Sequence, residues 1–190
     1  MATQTGRDGA WRRFPWRILG WGTAGLLLLL PLVAMQFTQE LNWTASDFVF
    51  AAVMFGSVGL GLELAVRKGS RAFTGACGLA LGASFLSVWI TGAVGIIGSE
   101  REDANILFMA VILVALLGSV AALFRRRGMA RAMAAAAVAE VSVPFVALLV
   151  WPEAQEAVLR AEVPVSVLVL TGMWLTSAWL FRRAAAEDPY

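Results

Sequence analysis

The sequence contains no histidine, one cysteine and one lysine. Without histidine there is no imidazole general base, no Ser-His triad, and no histidine ligand for zinc or haem. Cys77 has no second cysteine with which to form an intrachain disulfide. Lys68 falls in a predicted loop, so a Schiff base within a helical bundle is not expected. With no recognisable catalytic constellation, we expect neither an enzyme nor a bound cofactor.

Charged residues are also scarce, at 15% of the chain, whereas 59% of the residues are hydrophobic. Soluble domains carry about a quarter charged residues, so the composition indicates that lipid surrounds much of this chain. The net charge of only +2 argues against a nucleic-acid partner. The lipid bilayer is therefore the first expected partner.

The hydrophobic runs predict an all-α, polytopic membrane bundle of six transmembrane helices. The spans are expected at residues 18–37, 48–66, 73–98, 106–124, 132–150 and 165–181, flanked by an N-terminal tail (1–17) and a C-terminal tail (182–190). Arg12 and Arg13 precede the first run as they would in a secretory or twin-arginine signal. That run is long enough to span a bilayer and lacks a convincing cleavage site, so we expect a retained helix.

The basic residues are segregated between alternate loops. Thirteen of the 15 fall on one side of the predicted topology, in the ranges 7–17, 67–71, 125–131 and 182–183, leaving Arg101 and Arg160 opposite. The positive-inside rule therefore places both termini in the cytoplasm. We expect a multi-pass protein of a bacterial cytoplasmic (inner) membrane.

Three short motifs carry a family resemblance. They are Asn42-Trp43 with Asp47-Phe48, Glu63-Leu64 near the end of helix 2, and a Val-Gly-Ile-Ile-Gly-Ser-Glu run from Val94 to Glu100 that is followed by Ala104-Asn105. With these motifs, the chain resembles a family of small, uncharacterised bacterial integral membrane proteins over roughly residues 36–149. The resemblance implies six helices and no assigned activity. It makes an outer-face motif of Asn42, Trp43, Asp47, Ser99, Glu100 and Asn105.

Glu140 is the one carboxylate predicted deep inside a span. With helix 5 beginning near Ala132, it lies about 12 Å along the helix. A charged group at that depth costs about 3 kcal/mol on insertion scales, so it should face protein or water. The candidate intramembrane polar site comprises Glu140 and Ser142 with Ser87 and Thr91 of helix 3. Glu140 either binds a proton or cation, or forms a structural hydrogen bond to a neighbouring helix.

Small residues recur three or four apart on helices 2 and 3, a spacing that lets helices pack closely. The candidate packing residues are Gly56, Gly75, Gly78 and Gly82. We expect close packing of helix 2 on helix 3. The alternative is a mobile interface or a substrate path.

Three classes of function follow from these features. The favoured one is a non-catalytic accessory, assembly or oligomeric membrane component, with copies of the chain or other membrane subunits as partners. The alternative is a small transporter or channel that uses Glu140 in a polar path between helices 2, 3 and 5. A membrane enzyme acting on lipid or isoprenoid is least favoured because the bundle lacks histidine and an aspartate-rich motif.

Overall fold

The computed structural model describes residues 16–38, 42–68 and 70–187, and all regular structure in these ranges is helical. Six of the helices in the described ranges are long and apolar enough to cross a membrane. The long helices are α1 (Trp16–Ala34), α2 (Ala45–Lys68), α3 (Arg71–Ala93), α4 (Ile106–Ala121), α5 (Arg126–Val150) and α7 (Glu162–Glu187), with a short α6 (Gln155–Val158) before the last. The predicted all-α class with six membrane-length helices is confirmed.

The predicted helix ends were less accurate than the helix count. The predicted helix 3 ends at Ala93 rather than at residue 98, because Gly95 and Gly98 adopt left-handed backbone angles (φ +77° and +68°) that an α-helix cannot contain. The sixth long helix runs from residue 162 to 187, well beyond the expected 165–181. The spans expected at 18–37 and 48–66 are shifted to 16–34 and lengthened to 45–68.

The turn between α4 and α5 is tighter than predicted. The expected helices 106–124 and 132–150 are observed as 106–121 and 126–150. Leu123 and Phe124 both have positive φ, 49° and 55°, so the chain reverses within a few residues. Gly128 allows this, because a Cβ at that position would lie 2.3 Å from the Cβ of Ala122.

The chain divides into two compact units, one up to Leu60 and one from Gly61 onward. In the smaller unit, the Trp21 ring lies against Gly59, where a Cβ would come within 2.9 Å of the ring. Trp43 and Phe48 make an edge-to-face contact at 5.2 Å between ring centroids. The first contact packs α1 on α2, and the second covers the start of α2.

In the larger unit α7 packs along both α3 and α5, and α5 packs along α4. The side chains of Trp174, Phe108 and Phe181 are fully buried in this bundle. Many apolar side chains point outward instead, including Leu149, Leu168 and Val138 at 82%, 73% and 69% exposure. Such a surface is stable where lipid surrounds the helices.

Charge is divided between the two ends of the larger unit. At one end the guanidinium of Arg126 lies 5.6 Å from the Phe73 ring centre, and its Nη1 donates to the carbonyl of Ala184 at 2.9 Å. These contacts bring the start of α3, the start of α5 and the end of α7 together. The arginines of residues 71, 125–127, 131 and 182–183 therefore share one end, away from the acidic loop at residues 100–103.

Candidate functional site

Glu140 lies in the core of the larger unit, with no exposed surface. Since α5 begins at Arg126, Glu140 is about 21 Å from the first residue of the helix, slightly past the middle of its 25 residues. Pro144, four residues on, has no N–H for the Glu140 carbonyl. Neither carboxyl oxygen has a hydrogen-bond partner of regular geometry in the described part of the chain. Glu140 therefore lies in an enclosed site, as a group that is costly to bury.

Trp174 of α7 is the polar side chain that lies beside Glu140, and it was not predicted from the sequence. Its indole N–H lies beside the Glu140 carboxyl group, although Nε1 falls short of a regular hydrogen bond. Thr171 and Ser177 lie three residues to either side on the same face of α7. Ser177 donates to the carbonyl of Ala76 at 2.7 Å, which ties α7 to α3. The spacing Thr171, Trp174, Ser177 was a readable signal of a polar stripe on α7.

The other predicted members of the polar site are not joined to Glu140. Ser87 is 1% exposed on α3, and neither its hydroxyl nor that of Thr91 has a hydrogen-bond partner within the described ranges. Ser142 uses its hydroxyl to donate to the Val138 carbonyl of its own helix at 2.8 Å. Residues two apart on a helix point in nearly opposite directions, which separates Ser142 from Glu140.

The predicted packing glycines have different surroundings. A Cβ at Gly75 or Gly82 would come within 3.4 Å of Leu180 or 3.2 Å of Met173, both on α7. A Cβ at Gly78 would make an ordinary contact with Leu62 at 3.5 Å, and one at Gly56 would meet nothing within 4 Å. The close neighbour of the α3 glycines is thus mainly α7. The expected approach of helix 2 to helix 3 is found at Gly61 of α2, where a Cβ would lie 2.7 Å from the Leu81 side chain of α3.

An apolar cleft opens between α3 and α4, with a volume of about 540 Å³. We call it the α3–α4 cleft, and its lining comprises residues Gly61, Leu64, Ala65, Phe73, Cys77, Ala80, Leu81, Ser84, Ile112, Ala115, Leu116, Ser119, Phe124, Met129, Met133, Trp174 and Phe181. The hydroxyls of Ser84 and Ser119 donate to carbonyls of their own helices at 2.9 and 2.7 Å. The lining does not include Glu140, Ser87 or Thr91. Trp174 lines the cleft and also lies beside Glu140, so the cleft and the Glu140 site share this one side chain.

In the smaller unit, Asp47 of the predicted motif forms a helix cap. The Asp47 carboxylate accepts from the backbone N–H of Thr44 at 2.7 Å and from its hydroxyl at 2.8 Å. Together with the Asp47 N–H, which donates to the Thr44 carbonyl at 3.1 Å, these bonds fix the start of α2. Asn42 is exposed, and Trp43 packs on Phe48. The capping role accounts for Asp47 without a ligand.

In the larger unit, Asn105 closes the loop between α3 and α4. Its Oδ1 accepts from the N–H groups of Ile96 and Ile97 at 3.0 and 2.9 Å. Its Nδ2 donates to the carbonyls of Ile97 and Ser99 at 3.0 and 2.7 Å. The amide has thus used both donors and both acceptor lone pairs. Asn105 is fully hydrogen-bonded within the fold. Glu100 is exposed instead, and its Oε1 makes a long ion pair with Nε of Arg101 at 3.8 Å.

Within the described ranges, no three acidic or cysteine side chains gather closely enough to hold a metal ion. Comparison of the chain with protein-family profiles, with characterised proteins and with solved structures finds no match.

Proposed function

We propose that the chain is a non-catalytic accessory or assembly component of a bacterial cytoplasmic membrane, which docks a partner subunit at the α3–α4 cleft. The partner is another membrane subunit or a second copy of the chain. The observation that carries this proposal is the chemistry of the cleft. It combines a volume of about 540 Å³ with a lining of apolar atoms and hydroxyls already bonded to their own helices.

Such a lining suits apolar side chains better than a polar substrate. Sites for polar small molecules present a few polar groups that fix the orientation of the ligand. Here the hydroxyls of Ser84 and Ser119 are directed to the carbonyls of Ala80 and Ala115. Membrane helices associate through close van der Waals packing of complementary surfaces, which small residues favour.

The size of the cleft limits what enters it. A helix about 10 Å across occupies about 420 Å³ per turn of about 5.4 Å. The cleft volume of about 540 Å³ is therefore close to a single turn. A complete transmembrane helix does not fit, so we infer that a partner helix lies at the mouth and inserts its side chains.

Filling the cleft tests this proposal. Ala80 lines the cleft, and Ala80→Trp would place an indole where the partner's side chains enter. The matched control is Leu113→Trp, because Leu113 is 53% exposed on the outer face of α4. After purification in mild detergent, we expect wild type and Leu113→Trp to form a complex larger than one chain. Under the same conditions Ala80→Trp should be a single chain. Light scattering of the purified particles measures this mass.

Two results of that experiment would contradict the docking proposal. One is a complex that persists in Ala80→Trp at the wild-type stoichiometry. The other is a wild-type protein that is a single chain in every mild detergent that keeps it folded. A thermal midpoint near the wild-type value is required of Ala80→Trp, and Ala80→Leu is the smaller substitution if the indole prevents folding.

We further propose that both termini lie in the cytoplasm. Support comes from the larger unit, where the arginines of α3, α5 and α7 share one end and the acidic loop containing residues 100–103 lies at the other. Excess arginine marks the cytoplasmic side of membrane proteins. This orientation would place the loop closed by Asn105 on the outer side.

A small transporter is the second candidate, and buried Glu140 is the observation that favours it. Ionisable groups inside membrane spans commonly serve ion or proton pathways. Glu140→Gln and Glu140→Leu should be compared in proteoliposomes under a proton gradient. Loss of a proton flux in both variants would favour the transporter. No proton flux in wild type above empty liposomes, or wild-type flux in Glu140→Gln, would leave a structural role.

A further inference from the structure

Three arginines converge on a second cavity, at the end of the α5–α7 seam. Arg127 and Arg131 of α5 and Arg182 of α7 line it together with Ala185 and Ala186, and its volume is about 290 Å³. We call this cavity the arginine pocket. All three guanidinium-bearing residues are exposed, so they are accessible to a ligand.

No carboxylate neutralises these three charges in the described part of the chain. The ion pairs found there belong to Arg67 with Glu63 and to Arg101 with Glu100. Arg183, next to the pocket residue Arg182, lies instead over the Trp179 ring at 4.9 Å. The three arginines of the pocket therefore retain their capacity to bind an anion.

Helix geometry adds to the positive charge at this position. Arg127 and Arg131 are four residues apart, so their like charges are neighbours on one face of α5. They also lie in the first two turns of α5, whose first turn contains no acidic residue. The N-terminal end of a helix carries partial positive charge and binds anions. A bound anion would relieve the repulsion between Arg127 and Arg131, and also their repulsion from the partial positive charge at the start of α5.

The surface beyond the pocket is apolar. Val138 lies seven residues from Arg131, and Leu175 lies seven residues from Arg182 in the opposite chain direction. Two helical turns of separation keep each pair on one face. Val138 and Leu175 are 69% and 53% exposed. An anion in the pocket is thus followed along the seam by a surface for hydrocarbon.

We propose that the arginine pocket binds the phosphate headgroup of an anionic phospholipid, whose acyl chains lie along the α5–α7 seam. Guanidinium groups bind phosphate oxygens through paired hydrogen bonds, and basic pockets between membrane helices bind anionic headgroups. The site is distinct from the α3–α4 cleft. The cleft is lined by Met129 and Met133 of α5, which lie two residues from the pocket arginines and face another direction. The proposed lipid site does not depend on the proposed partner docking.

Native mass spectrometry of the purified full chain in detergent tests this site. Phosphatidylglycerol and phosphatidylethanolamine are titrated separately, and inorganic phosphate is added as a competitor. Wild type should bind phosphatidylglycerol more tightly than phosphatidylethanolamine. Arg131→Gln and Arg182→Gln should each weaken that binding about fivefold, as expected for one basic residue near anionic lipid, while binding of phosphatidylethanolamine is little changed.

Arg183→Gln is the matched control, because it removes an adjacent charge that does not line the pocket. It should retain phosphatidylglycerol binding within about twofold, well inside the fivefold effect expected of a pocket arginine. Arg131→Lys and Arg182→Lys keep the charge but lose the paired hydrogen bonds of a guanidinium group. Their affinity should lie between wild type and the Gln variants, and they replace the Gln variants in the comparison with wild type if those fail to fold. Equal binding of the two lipids, or equal loss in Arg183→Gln, would overturn the proposal. Displacement of the lipid by equimolar phosphate would overturn the assignment to a lipid.

Discussion

Replacing Asn105 with alanine should destabilise the larger unit more than any exposed-loop substitution. Asn105 is 3% exposed, and its amide bonds to the backbone of Ile96, Ile97 and Ser99. Ile96 and Ile97 are themselves 4% and 0% exposed. In the alanine variant, two N–H groups and the Ile97 carbonyl would therefore lose their partners where water reaches them poorly.

The expected loss follows from these three groups. A buried donor or acceptor left without a partner costs about 1–3 kcal/mol, so three cost at least about 3 kcal/mol. For a chain of this size, 1 kcal/mol lowers the thermal midpoint by about 2–4 °C. Asn105→Ala should therefore melt about 6–12 °C below wild type. Asn105→Asp should retain the two N–H contacts, but it would direct oxygen rather than a donor at the Ile97 and Ser99 carbonyls.

Thermal unfolding in detergent measures the midpoint, and hydrogen exchange at the Ile96 and Ile97 amides locates the change. Glu100→Ala is the control, since Glu100 lies in the same loop, is exposed and makes one long ion pair. It should melt within about 2 °C of wild type, because surface changes usually cost under about 0.5 kcal/mol. A midpoint for Asn105→Ala equal to that of Glu100→Ala, with unchanged amide exchange, would refute the reasoning.

Three further outcomes are expected. With Cys77 replaced by alanine, Ser99→Cys in intact cells should react with an impermeant thiol reagent and Ala186→Cys should not; the reverse pattern would overturn the orientation. Gly82→Leu should lower the folded yield, because a Cβ there already approaches Met173 within 3.2 Å, and equal yields with Gly56→Leu would contradict this. Trp174→Phe and Glu140→Leu should be non-additive by at least about 0.5 kcal/mol in unfolding free energy, and additive effects would separate the two side chains.

The sequence was sufficient to predict the six membrane-length helices, because long apolar runs have few alternatives in a bilayer. Helix ends were harder to predict. Hydropathy continues through Val94, Ile96 and Ile97, yet the helix has already ended at Ala93. The left-handed angles at Gly95 and Gly98 and the amide contacts of Asn105 determine that end. They involve groups up to nine residues apart, which a hydropathy window does not register.

Only the part of the candidate site that depends on position in an apolar run could be predicted from the sequence. The depth of Glu140 followed from its position in an apolar run, and the residue lies at the centre of α5. Its neighbour Trp174 depends on how α5 and α7 pack, which is a tertiary property. Ser142 was chosen for its proximity in sequence, but its hydroxyl donates to Val138 of its own helix. The α3–α4 cleft likewise exists only after five helices (α2, α3, α4, α5 and α7) have contributed side chains to it.

Photo-crosslinking from Cys77 in native membranes tests the proposed docking most directly. Cys77 is the sole cysteine of the chain and lines the cleft, so a small diazirine group linked to its thiol, less bulky than an indole, reports on the cleft without filling it. The account predicts a crosslinked protein band, either a second copy or another membrane subunit, that is lost in Ala80→Trp. With Cys77→Ala, a probe at Leu113→Cys on the outer face of α4 should give lipid adducts instead. Lipid adducts alone from Cys77, or the same protein band from both positions, would contradict the account.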